Sequence, residues 1–138
     1  MFRIADEWWA ARGMRKLIVT IACAGWVGSA TAELVEVRLA PGTIVERRLT
    51  MAPGKFAELC SDLQRGQTVS WQFRANAAMD FNIHYHVDKH VEYPEQRKNV
   101  KDASGNLVIE VDQGYCWMWT NRSATQVAVD VTLREIGR

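Results

Sequence analysis

Hydrophobic and polar residues alternate along most of the chain after residue 32, with the period of two that is typical of half-buried β-strands. In the segment TVSWQFRA, apolar side chains alternate with Ser70, Gln72 and Arg74. The segments DFNIHYHV, NLVIEV and TQVAVDVTL repeat the alternation. The apolar positions are Val69, Trp71, Phe73, Phe81, Ile83, Tyr85, Val87, Leu107, Ile109, Val111, Val127, Val129, Val131 and Leu133. The pattern predicts several strands, each with one face in a core.

Turn-forming residues separate these segments at intervals of about ten residues. Ala-Pro-Gly occurs at 40–42 and 52–54, and further turn signals lie at 65–67, 103–106, 112–114 and 121–123. The longest polar connection, YPEQRKNVKDASGN at 93–106, is expected to be an exposed hairpin or loop. Amphipathic helical patterns of ten or more residues are missing after residue 32, so no helices are predicted to connect parallel strands. We therefore predict an all-β fold, an antiparallel β-sandwich.

The first residues have the features of an export signal. Arg15 and Lys16 precede an apolar run from Leu17 to Val27, and Ala30-Thr31-Ala32 supplies small residues suited to a signal peptidase. The run is short for a helix that spans a bilayer, and polar residues follow it, so no membrane span is expected. We predict a signal peptide region over 1–32 and a single domain over 33–138.

Two details of this region bear on where the protein begins and resides. Asp6 and Glu7 precede the cationic residues, which is unusual for an export signal and indicates that translation starts at Met14. Cys23 in TIACAG is a candidate for lipidation, although the residues before it fit a lipoprotein signal poorly. We expect a periplasmic or secreted protein, with a lipoprotein anchored through Cys23 as the weaker alternative.

The charge balance argues against nucleic acid as a partner. The whole chain has 17 Lys and Arg and 16 Asp and Glu; without residues 1–32, 13 and 14 remain. The mature chain is therefore close to neutral, and it has no basic run of the kind that follows a phosphate backbone. Its length of about 106 residues is that of one ordinary domain.

Two cysteines, Cys60 and Cys116, remain after the predicted cleavage. An even number of cysteines in a small exported domain indicates a disulfide, and closing a loop of about 57 residues restricts the unfolded chain by about 4 kcal/mol. We predict a Cys60–Cys116 bridge. The alternative is two free thiols, one of which serves as a metal ligand.

Three segments in order, ELCSDLQRGQTVSWQFRA, DFNIHYHV and YCWMWTNRSATQVAVDVTL, together resemble the GOLD domain. This domain is a β-sandwich found in eukaryotic vesicle cargo receptors and in some lipid-transfer and adaptor proteins. The resemblance covers most of the mature chain, and its matching positions are Cys60, Gly66, Phe81, Tyr115, Cys116, Trp117 and Asn121. It implies a small, non-catalytic recognition domain whose two cysteines are bonded to each other.

The histidine pair and the tryptophan-rich CWMW segment depart from the usual GOLD pattern. The segments FNIHYH and YCWMW also resemble those of short exported bacterial proteins. Neither resemblance indicates which ligand the domain binds.

The segment MDFNIHYHVDKH contains all three histidines of the chain. On a strand, His84 and His86 point to the same side with β carbons about 7 Å apart, which suits two imidazoles that bind one metal ion. Further ligands are expected among Met118, His90, Asp80 and Asp88. Imidazole and thioether together favour copper. The alternative is a solvated strand face on which the histidines pair with Asn82 and neighbouring acids.

The segment YCWMWTN has two possible orientations. Alternation places Tyr115, Trp117 and Trp119 on one side and Cys116 and Met118 on the other. The aromatic side is either part of the core, because aromatic residues bury large areas, or an exposed binding surface beside Asn82 and the histidines.

Catalytic patterns are weak. We find no serine in a nucleophile elbow, no metalloprotease histidine pair on a helix and no glycine-rich phosphate loop, so no catalytic residues are assigned and the protein is not expected to be an enzyme. We predict an exported recognition module that binds a periplasmic protein or a small ligand. The alternative is a small periplasmic copper-binding protein that uses His84 and His86, with copper as the one candidate cofactor.

Overall fold

The computed structural model describes residues 32–137, so the predicted signal peptide, the Met14 start and Cys23 lie outside the described residues, which begin at Ala32. Seven strands fill most of this range, and the prediction of an all-β fold is confirmed. The strands are β1 Glu33–Glu36, β2 Ile44–Met51, β3 Phe56–Leu63, β4 Thr68–Val87, β5 His90–Val108, β6 Gln113–Thr120 and β7 Val127–Gly137. Residues 32–137 contain no helix with the length and apolar character needed to cross a membrane.

Strand β4 is 20 residues long and belongs to both layers of the sandwich. Residues 68–75 of β4 pair with β7, whereas residues 80–85 pair with β6. The pairing register shifts between Arg74 and Met79, and such irregularities bend a strand. One layer therefore contains β1, β3, β6 and the second half of β4, and the other contains the first half of β4, β7 and β2. Strand β5 pairs with both halves of β4.

The core lies between the two layers and follows the alternation of the strands. The predicted inward positions Val69, Trp71 and Phe73 of β4 are at most 4% exposed. Across the bend, Phe81 packs against Phe73 with ring centroids 4.8 Å apart. In β7, the predicted positions Val127, Val129, Val131 and Leu133 are all buried. The period of two in the sequence therefore identifies the inner face of both strands, because side chains alternate across a pleated sheet.

The strand prediction differs from the structure in several details. The segments TVSWQFRA and DFNIHYHV form one continuous strand rather than two. Residues 93–106 lie inside β5, so of the expected exposed hairpin or loop the hairpin is present; most of their side chains are exposed because β5 pairs only with β4 among the described strands. Val111 follows the end of β5 and is 40% exposed. The sheet is also mixed rather than purely antiparallel, since the short β1 runs parallel to β3.

Two buried polar side chains form hydrogen bonds with the backbone of the loops. The Asn121 amide donates hydrogen bonds to the carbonyl oxygens of Met51 and Thr125, at 3.1 and 2.7 Å. The Glu135 carboxylate accepts a hydrogen bond from the Gly42 amide at 3.0 Å. Because a buried polar group without a partner is costly, these bonds stabilise the particular paths of the loops.

Candidate functional site

The outer surface of the layer formed by β3, β6 and β4 carries His84 and His86. In the sheet register, Cys60 lies opposite Cys116, which in turn lies opposite His84. The neighbouring row contains Glu58, Met118 and Asn82 in the same order of strands. Cross-strand neighbours share a side of the sheet, so both rows point outward. We call Glu58, Asn82, His84, His86 and Tyr93 the histidine face.

His84 is buried although it lies on an outer face, with 7% of its surface exposed. The Tyr93 ring packs against it with ring centroids 5.9 Å apart. Its Nδ1 lies 2.8 Å from Oδ1 of Asn82. Burial lowers the pKa of His84, and the nearby His86 lowers it further because two positive charges repel. The pairing of His84 with Asn82 that the alternative interpretation expects is therefore present, although His84 is buried rather than solvated.

Glu58 is the member of the histidine face that the sequence interpretation missed. Its Oε2 lies 3.8 Å from Nε2 of His84, and the two side chains are 13% and 9% exposed. Burial raises the pKa of Glu58, and the charge of His86 opposes that shift. A signal was present in the sequence, because alternation in FAELCSDL places Glu58 on the same side as Cys60. The proximity to His84 depends on the order of the strands in the sheet.

His86 is the exposed member of the pair. Its ring centroid lies 5.4 Å from that of His84, with the rings nearly perpendicular. The expectation that both histidines point to one side agrees with this geometry. Together with Glu58, they place two imidazoles and a carboxylate on one patch of surface.

Of the other predicted ligands, one shares the outer surface with His84 and His86, and the others lie elsewhere. Met118 lies on the outer surface, at the register position between Glu58 and Asn82. His90 pairs with Val87 at the β4–β5 turn, which places it on the opposite side of the ribbon from His86. Asp80 instead accepts hydrogen bonds from Arg122 and the Asn99 amide. The structure therefore does not bring His90 or Asp80 to the histidine pair. Asp88 occupies the turn itself, with a positive φ of 52°.

The Cys60–Cys116 disulfide is confirmed, with an S–S distance of 2.08 Å. It lies on the outer side of the layer, where both cysteines are partly buried. Because Cys116 is bonded to Cys60, it is not available as a thiolate ligand, although its sulfur lies close to Glu58 and His84. The alternative of free thiols is therefore wrong in this structure.

Trp117 and Trp119 are not part of a binding surface, which corrects that prediction. Both are 0% exposed, and Trp119 packs edge-on against Phe73 at a centroid distance of 5.7 Å. Tyr115, on the same side of β6, is 1% exposed. The disulfide occupies the outer side of β6, so alternation directs the aromatic side chains into the core.

The outer surface of the opposite layer forms a charged cleft of about 660 Å³. Its polar lining residues are Glu46, Arg47, Arg48, Gln72, Arg74, Asp102, Ser104, Asp130 and Thr132. Arg48 donates to both carboxylate oxygens of Asp130, at 2.9 and 2.8 Å, and both side chains are more than 60% exposed. The cleft therefore consists of solvated charges of both signs.

The architecture and the site define a small β-sandwich domain with a half-buried polar cluster on one outer face. Solved structures of very different sequence share the fold. PliG from Aeromonas hydrophila, a periplasmic inhibitor of g-type lysozyme, matches with a TM-score of 0.60 at 12% identity, over 76% of this chain and 97% of that chain. PliG from Salmonella Typhimurium gives 0.55 at 13% identity, over 76% and 99%.

A third structure with this fold is the pre-peptidase C-terminal domain of a Bacillus anthracis collagenase. Its TM-score is 0.54 at 11% identity, over 75% of this chain and 96% of that chain. At such identities the likeness establishes the fold alone. No family model matches the sequence, and no curated protein matches it, so the GOLD resemblance stays a prediction.

Proposed function

We propose that residues 33–138 form an exported, non-catalytic module that binds another protein through the histidine face and the adjoining end of the β4–β5 hairpin. The observation that carries the proposal is the exposure of apolar side chains there. Tyr93 is 49% exposed and Val91 is 36% exposed, and both flank the histidines. Exposed aromatic and aliphatic groups beside half-buried polar groups are characteristic of protein interfaces.

The geometry of the hairpin supports this proposal. A two-residue turn at Asp88 and Lys89 joins two long paired strands, which provides a firm base for the side chains near its end. Because the strands are already ordered, little additional conformational entropy is lost when a partner binds.

The structural neighbours suggest a first partner to test. Two of them are described as periplasmic inhibitors of g-type lysozyme. The predicted export signal is compatible with the same compartment. We therefore propose a secreted wall-degrading enzyme of the lysozyme class as the first candidate, and a different periplasmic protein as the next.

A binding experiment with matched variants tests the proposal. The oxidised mature chain is titrated with g-type lysozyme and, in parallel, is cross-linked to proteins of a periplasmic extract. We expect Tyr93→Ala to weaken binding at least tenfold, since a truncated aromatic anchor costs more than about 1.4 kcal/mol. Ile136→Ala is the control, because Ile136 is 50% exposed but lies on β7.

Equal binding by wild type, Tyr93→Ala and Ile136→Ala would show that the histidine face is not the contact surface. Lysozyme inhibition that disappears with Tyr93→Ala alone would identify both the partner and the site. Turnover of a substrate by the mature chain would contradict the non-catalytic assignment.

A further inference from the structure

We propose that Glu58, His84 and His86 form a binding site for a divalent transition-metal ion, of the class that includes Zn²⁺ and Cu²⁺. This site replaces the sequence-based ligand set of the two histidines with Met118 or His90. The proposal does not depend on a protein partner, so it can fail or succeed independently of the proposed function.

Asn82 orients the His84 ring for metal binding. The Asn82 carbonyl oxygen lies 2.8 Å from Nδ1 and only accepts hydrogen bonds, so this contact is a hydrogen bond when the proton of neutral His84 is on Nδ1. The lone pair is then on Nε2. An imidazole that donates through one nitrogen to a carbonyl oxygen and presents the other nitrogen is the usual arrangement of a metal-ligating histidine.

The Nε2 lone pair faces a second donor atom. Oε2 of Glu58 lies 3.8 Å away, too far for a hydrogen bond between the two groups. Two ligands of a tetrahedral Zn²⁺ at about 2.0–2.2 Å from the ion are separated by about 3.4 Å, so a small side-chain movement brings both into the coordination sphere. Two electron-rich atoms that face each other at this distance are stabilised by a cation between them.

His86 supplies the third donor and leaves the site accessible. The ring centroids of His86 and His84 lie 5.4 Å apart. In the metal-free structure the third donor atom within 4.8 Å of those of Glu58 and His84 belongs to the disulfide-bonded Cys116, so His86 must turn toward the pair to complete the site. His86 is exposed, so an ion can enter beside it and can retain water at a fourth position. Two nitrogens and one carboxylate oxygen suit Zn²⁺ and Cu²⁺, whereas Cu⁺ favours soft sulfur ligands. Cys116 is bonded to Cys60, so the sulfur on this surface that Cu⁺ would use is the Met118 thioether, which is not part of the proposed donor set.

Calorimetric titration of the oxidised mature chain with Zn²⁺, and separately with Cu²⁺, tests the site. We expect one ion per chain. Glu58→Gln, His84→Gln and His86→Gln should each lower the affinity at least tenfold. His90→Gln should leave it unchanged, because this exposed histidine lies on the other side of the hairpin. Thermal unfolding of each apo variant separates lost ligation from failed folding.

Two further measurements identify the ligand atoms. In ¹⁵N-resolved NMR spectra, His84 should carry its proton on Nδ1, and Zn²⁺ should shift its Nε2 resonance. Asn82→Leu, which removes the orienting oxygen, should weaken Zn²⁺ binding by about tenfold to a hundredfold.

Three results would overturn the proposal. The first is binding by the wild type no tighter than that of the His84→Gln variant. The second is a proton on Nε2 of His84 in the apo protein. The third is Cu⁺ binding that Met118→Leu abolishes and Glu58→Gln leaves intact, because that result would restore the thioether site.

Discussion

The two outer faces of the sandwich differ in how much of their paired charged side chains is exposed to solvent. In the charged cleft, one guanidinium nitrogen of Arg48 donates to both carboxylate oxygens of Asp130, but the two side chains remain 65% and 62% exposed. On the histidine face, His84 and Glu58 are 9% and 13% exposed and lie 3.8 Å apart without a hydrogen bond between them. Water screens the first pair, whereas the second pair has lost much of its hydration without forming a hydrogen bond between its two members.

The difference indicates where to look for function. An exposed ion pair satisfies its own charges and has a small effect on stability. A half-buried acid beside a half-buried base carries a cost that binding of a cation or a partner can offset. The charged cleft is therefore less informative about function than the histidine face.

Removal of the disulfide beside the histidine face should have the largest effect. We expect the double variant Cys60→Ala, Cys116→Ala to lose about 4 kcal/mol of unfolding free energy, because the bridge closes a long loop of the unfolded chain. Urea unfolding of oxidised wild type and variant at one pH measures the difference. A loss below about 1 kcal/mol would indicate that the layer is held mainly by packing.

An added methyl group at Gly105 should have the next largest effect. Gly105 pairs with Trp71, and a β carbon there would lie 2.8 Å from the indole ring. Gly105→Ala should cost about 1–3 kcal/mol, since an overpacked core must shift. The exposed neighbour Ser104, which lines the charged cleft, provides the control Ser104→Ala. Equal stability of the two variants would show that the ring moves aside freely.

Neutralisation of Glu58 should stabilise the metal-free protein at pH 7. Burial raises the folded-state pKa of Glu58 above 4.5, so its contribution is favourable below that pH and is lost as the pH rises through the folded-state pKa. Glu58→Gln should therefore be more stable than wild type at pH 7 in EDTA and lose this advantage by pH 4. Urea unfolding at both pH values measures it.

Glu46→Gln, in the charged cleft, is the control for that measurement. A similar change in both variants would contradict the contrast between the two faces. So would a destabilised Glu58→Gln at pH 7.

The Arg48–Asp130 pair should have the smallest effect. A double-mutant cycle with Arg48→Ala and Asp130→Ala should give a coupling energy of about 0.2–1 kcal/mol that decreases in high salt. A coupling above about 2 kcal/mol would mean that the cleft contributes to stability as a buried network does.

Sequence reasoning succeeds where a strand has one buried face. The apolar rows of β4 and β7 follow the predicted alternation because their inner side chains pack in the core. For residues 93–106 it gives only an exposed hairpin or loop and not the strand, because much of β5 is exposed on both sides and the sequence there lacks a period of two. Alternation also divides β6 into two faces without indicating which is inside, so the position of Trp117 and Trp119 remained open.

The candidate site divides in the same way. The shared side of His84 and His86 and the pairing of Cys60 with Cys116 follow from local alternation and from cysteine number. The presence of Glu58 in the site does not, because it arises from the order β3–β6–β4 and the register between these strands.

The amino-acid sequence by itself therefore determined the all-β class, the inner faces of the regular strands and the disulfide, since these depend on residue type and short-range periodicity. The tertiary structure decided that the tryptophans are internal, that His90 points away and that Glu58 faces His84. Those outcomes depend on which strands become neighbours, and strand order is set by packing of the whole sheet rather than by any one segment.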